Sequence, residues 1–237
     1  MPIRFRLRPI PLLATVVVVA IGIALGQWQT RRGDAKQAIE TQTAARAAAA
    51  PLQVSGALLD PAGIEFARLR VRGNFVTDWP LFLDNRPLQG KAGFYVLMPL
   101  KIEDSNVHVL VARGWVPRDR TDRLKLPVFS TPASTVEIEG LARTTVGQVM
   151  QLGSAPKIEA RAILQNLTLT ELSAATGYTL QPFVFEQHSD TRDGLVRDWP
   201  LASSGIDKHR GYAVQWYGLA AMALLFFIVT GFRRGSN

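Results

Sequence analysis

The chain of 237 residues contains no cysteine, only three histidines and four methionines, and 19 acidic residues against 27 basic ones. Without cysteine there is no disulfide, no thiolate metal site and no cysteine nucleophile, whatever the redox state of the compartment. The histidines, His108, His188 and His209, stand far apart, and the chain has no G-x-S-x-G elbow, no H-E-x-x-H pair and no phosphate-binding glycine loop. The shortage of acid leaves a net charge of +8. Five basic residues, Arg4, Arg6, Arg8, Arg233 and Arg234, lie in the two tails with no acidic residue among them, which leaves 22 basic against 19 acidic in between. That distribution answers to membrane topology and removes the motive for a nucleic-acid partner.

Charge is missing altogether from two stretches, Ile10–Leu25 and Gly211–Phe232. At 1.5 Å per residue they approach or reach the roughly 30 Å of a bilayer core. We read two transmembrane helices, at 10–28 and 210–232. The arginines, the apolar run and the small residues near Gly26 also describe a secretory signal peptide. No clear A-x-A cleavage site follows the run, however, and Trp28 and Gln29 continue the segment as an interfacial anchor would. The flanking arginines place both tails, 1–9 and 233–237, in the cytoplasm. The segment 29–209 is then extracytoplasmic, which in a bacterium makes this a multi-pass inner-membrane protein with a periplasmic domain.

After the first span, an alanine- and glutamine-rich stretch reads as a helix leaving the membrane and stopped by Pro51. From Phe66 the period changes. FARLRVRGNF, PLFLDNRP, GFYVLMPL, VHVLVARGWVP and STVEIEGLAR are five strands separated by Gly, Pro and Asp/Asn turns, arranged as an antiparallel sheet or partly closed barrel. LTLTELSAATGY predicts a helix capped by Thr170 or Thr168 and ended by Gly177, and QPFVFEQ one more strand. The fold class is therefore an α+β membrane protein: one transmembrane helix at each end of a mostly antiparallel β domain with a few helices.

Two arginines stand beside turns, Arg86 in LDNRP and Arg113 in ARGWVPRDR with Trp115 two residues on. They either satisfy turn carbonyls and nearby carboxylates or, with Trp115, form a charged aromatic rim that meets a partner protein. His209 opens the second span, with Tyr212, Ala213 and Trp216 at i+3, i+4 and i+7 on one helical face and Gln215 beside them. Aromatics there serve as an interfacial belt. An imidazole is different, because it is a good iron ligand and an unusual anchor, although it can also cap or snorkel at a helix start.

LGQWQTRRGDAK, RGNF, LDNRP with GFYVLMPL, LVARGWVPRDR, LQNLTLTEL and HRGYAVQWYGL, in this order, resemble the Surfeit locus protein family, called Shy in yeast, over nearly the whole chain. Ala35 and Ala112 depart from the residues common there. The resemblance implies a cytochrome c oxidase assembly factor, not an enzyme, that binds haem a and assists its insertion into subunit I. It makes His209 a ligand of the haem iron, supported by Tyr212, Gln215 and Trp216. Subunit I, haem a synthase and membrane lipid are the implied partners. A second reading is a scaffold that stabilises a subunit I intermediate without touching haem; a third is a membrane-anchored periplasmic enzyme.

Overall fold

The computed structural model describes residues 3–5, 7–150, 156–199 and 205–234. The chain divides into two units, 1–42 with 202–237, and 43–201.

The first unit holds two helices, each long and apolar enough to cross a membrane by length and composition: α1 (Pro9–Ala48) and α3 (Ile206–Gly231). Proline is tolerated at the start of α1 because the first-turn amides have no intrahelical acceptor. The helix then runs unbroken through the alanine- and glutamine-rich stretch, so the expected span and the helix beyond it form a single rod that ends just before Pro51. Strands β1 (Ile3–Phe5) and β10 (Phe232–Arg234) pair antiparallel, which puts the start of α1 and the end of α3 at the same end of the helix pair. The buried residues of α1 are Gly22, Gly26 and Gly33, and those of α3 are Ala213 and Ala220. A Cβ on Gly22 would come within 2.9 Å of the Ala220 methyl, and one on Gly26 within 2.5 Å of the Tyr217 ring. The helices thus meet through absent side chains, the packing that works where lipid removes any hydrophobic drive.

The second unit is a β domain. Its strands are β2 (Leu52–Val54), β3 (Arg68–Phe75), β4 (Leu81–Leu83), β5 (Gly93–Ile102), β6 (Val107–Pro117), β7 (Val136–Arg143), β8 (Ile163–Leu164) and β9 (Thr179–Gln187). The order β3-β7-β9-β6-β5 closes on itself, because β5 pairs β4 along its first half and β3 along its second. Strand β3 alternates as its sequence predicts: Leu69, Val71 and Phe75 point inward, while Arg68 and Arg70 reach outward to Glu139. The barrel interior is filled by Leu69, Val71, Met98, Leu100, Val111, Ile138, Phe183 and Phe185, and a second cluster with Leu83, Leu97, Leu110, Trp115 and Val184 covers the outer face. Burial on both faces explains why β5 and β6 are nearly continuous apolar runs.

The pairing is less uniformly antiparallel than expected, since β6 pairs β9, β2 pairs β3 and β4 pairs β8 in parallel. A parallel neighbour needs a long connection, and the stretch between β6 and β9 supplies one that includes α2 (Leu169–Thr176). Thr168 is the N-cap, in a reciprocal capping box with Glu171, and Gly177 closes the helix at φ 72°.

Candidate cofactor site

His209 lies in the first turn of α3, packed beside Gly33 of α1: a Cβ on Gly33 would sit 3.7 Å from that of His209, an ordinary contact. Its Nδ1 is 2.7 Å from Oε1 of Gln29 on α1. An amide oxygen can only accept, so Nδ1 carries the hydrogen, and in the neutral imidazole Nε2 keeps its lone pair. This is the arrangement by which an outer partner fixes the tautomer and the ring plane of a metal-binding histidine. The residue is only partly buried. These residues fit a haem iron. The next residue, Arg210, donates to Oε1 of Gln37 at 2.6 Å, which ties the helices together again.

The expected face is only partly assembled. Ala213 packs into the interface, Tyr212 and Gln215 are exposed, and Trp216 is half-buried. Trp216 lines a groove of about 420 Å³ between the helices, together with Val18, Ile21, Gly22, Leu219, Met222, Ala223 and Phe226. His209 and Trp216 are therefore turned toward α1, while Tyr212 and Gln215 look away from it. Sequence reasoning missed Gln29 as the partner of His209. The signal that could have found it is GIALG, whose glycines Gly22 and Gly26 recur at the spacing of a close helix contact.

The three residues expected to form a partner-facing rim are buried in the β domain instead, at 6% exposure for Arg86, 0% for Arg113 and 5% for Trp115. Arg86 donates to the carbonyls of Asp84, Asn85, Gly147 and Gln165, and the indole of Trp115 donates to the carbonyl of Arg86 at 2.6 Å. Arg113 is the extra residue of a β-bulge, since Val96 faces Gly114 and Leu97 faces Ala112. The bulge aims its guanidinium inward, 4.4 Å from the centre of the Phe75 ring. There it meets Oδ2 of Asp193 at 2.8 Å, the Ser130 carbonyl at 3.0 Å and the Thr131 hydroxyl at 2.6 Å.

Asp193 also accepts from Arg197 at 2.6 Å, from the Thr191 hydroxyl and from the amide of Leu195. Burial alone would raise its pKa. The hydrogen bonds and the charge of Arg197 outweigh that and hold the carboxyl below the usual carboxylate range. These arginines are internal struts, in agreement with the expectation that they satisfy turn carbonyls and carboxylates. What the sequence did not reveal was the identity of the carboxylate, 80 residues away.

The SURF1 family model matches residues 16–221. The chain is 23% identical to Surfeit locus protein 1 of Rattus norvegicus, over 89% of this chain and 72% of that one. It is 23% identical to a SURF1-like protein of Rickettsia bellii (91% and 88% covered) and 25% identical to one of Monosiga brevicollis (95% and 88%). A match of this extent, taking in the β domain, most of both long helices and His209, places the chain in the SURF1 family.

Proposed function

We propose that this protein is an assembly factor for cytochrome c oxidase, which binds haem a through Nε2 of His209 and assists its insertion into subunit I. The observation that carries the reading is the His209–Gln29 pair, which holds an imidazole with its other ring nitrogen without a hydrogen bond, two helical turns before a groove lined by apolar side chains. Membership in the SURF1 family supports the assembly role. In this reading haem a is cargo: Gln29 holds the ring in orientation, Trp216 offers a flat apolar wall, and the exposed Lys208 meets the propionates at the wet edge. One axial bond from this chain is enough to hold a cofactor and still release it.

The setting we propose is the bacterial inner membrane, with both termini in the cytoplasm and the β domain in the periplasm. Subunit I is the recipient and haem a synthase the donor. The test is purification in detergent from a host that makes haem a. The expected result is haem a bound close to one per chain in the parent and lost from a folded His209→Ala variant. A colourless, folded parent would remove haem carriage and leave the scaffold reading.

A further inference from the structure

The connection 118–135, between β6 and β7, is tied down at both ends yet turns apolar side chains outward. At its start, Oδ1 of Asp119 accepts the amides of Thr121 and Asp122 at 2.9 and 3.2 Å, Lys125 donates to its Oδ2 at 3.0 Å, and Asp122 accepts the amide of Leu124. Further on, Leu126 and Phe129 pack into the β domain, and Arg113 donates to the Ser130 carbonyl and the Thr131 hydroxyl. Between these anchors Leu124 is 79% exposed and Val128 97%. Four exposed cations flank the stretch. Arg120 and Arg123 belong to the connection itself. Lys91 adjoins Ala92, whose carbonyl accepts the Arg118 amide, and Arg192 adjoins Asp193, whose carbonyl accepts the Ser130 amide. None of the four makes an ion pair among the described residues, although most of the domain's other arginines do.

Resting on the assembly reading above, we infer that this face docks the protein partner, at a part of subunit I outside the membrane that presents carboxylates around a small apolar patch. Exposed aliphatic side chains inside a rim of charge have the anatomy of a protein contact. Cations with no partner of their own are complementary to carboxylates and steer such a partner onto the surface. The anchors hold the connection in shape beforehand, which lowers the entropy lost on contact. A bilayer is the poorer match. Segments that enter its surface present Trp, Phe or Leu opposite a basic face. Here the aromatic ring, Phe129, is turned inward against Phe82, and Asp119 and Asp122 stand among the cations, where anionic headgroups would be repelled.

The absence of cysteine makes the test clean, because a nitroxide attached to Val128→Cys is then the only label. The full-length labelled protein is placed in nanodiscs of phosphatidylcholine and phosphatidylglycerol, and detergent-purified subunit I is added. Alone, the label is expected to be mobile and open to a water-soluble nickel quencher; with subunit I bound, it should slow and become shielded. A folded Arg120→Glu/Arg123→Glu variant should bind subunit I about tenfold more weakly than the parent, with a shallower dependence on salt. A label already shielded from nickel and reached by oxygen in the nanodisc alone would put this face on the bilayer and overturn the proposal. Subunit I that binds while the label is unchanged, or that binds the double variant as tightly as the parent, would also overturn it and leave the assembly reading intact. If subunit I does not bind the parent, the assembly reading falls, and the docking surface falls with it.

Discussion

The β domain and the helix pair treat their polar side chains in opposite ways. In the β domain, Arg86, Arg113 and Asp193 are buried and spent: four carbonyls surround one arginine, and the aspartate accepts from two arginines, a hydroxyl and an amide. In the helix pair, His209 makes one hydrogen bond through Nδ1 and keeps the lone pair of its other nitrogen. The lesson is that a conspicuous arginine beside a turn signals architecture when its terminal nitrogens are taken inside, while a half-used histidine at a helix start is a group with capacity left for a ligand. Buried charge in the barrel costs stability when disturbed.

The sharpest challenge to that contrast is Asp193→Ala. It leaves Arg113 fully buried and Arg197 nearly so, without their carboxylate, and we expect a loss of about 3–5 kcal/mol, read as a collapse of the thermal transition of the detergent-solubilised protein. A variant as stable as the parent would show that the arginines are not struts. Next comes Gly26→Leu, whose side chain would run into the Tyr217 ring. Overpacking of this kind costs about 1–3 kcal/mol, and here it should loosen the helix pair and lower haem retention while leaving the β domain's urea transition in place.

Acid probes the same contrast more gently. The carboxyl of Asp193 is held below its ordinary range in the folded state, so its contribution is complete above the unfolded value of about 3.9 and drains away as pH falls through the folded one. The melting temperature of the parent should therefore fall steeply below about pH 4, and less steeply in Asp193→Asn. The smallest effect concerns neither charge cluster: Thr168→Ala removes the capping box of α2 and should cost about 1 kcal/mol in chemical denaturation, with no change in haem binding.

Much of the β domain was legible because its chemistry is local. The alternation of RLRVRGNF follows from a strand with one face on the core, and the Thr168 cap and Gly177 stop follow from helix-end chemistry. The closure of the barrel was not legible, since it depends on β5 changing partners from β4 to β3 midway along one apolar run. Strands β2 and β8, of three and two residues, are too short to show a period. Arg113 was noticed for the right reason, a charge next to a Gly-Trp turn. Its burial rests on a bulge and on Asp193, both set by tertiary pairing. In the helix pair, His209 and Trp216 could be read from helical spacing. Gln29 could not, because it acts across an interface whose marker is a pair of glycines rather than a polar pattern.

The central claim is that the unspent nitrogen of His209 meets iron. The most direct test is the visible and electron paramagnetic resonance spectrum of His209→Ala, reconstituted with haem a and then titrated with free imidazole. The account predicts that the substitution shifts the Soret band and alters the ferric signal, and that imidazole entering the vacated position restores both. A folded variant whose spectra match the parent before imidazole is added would contradict it.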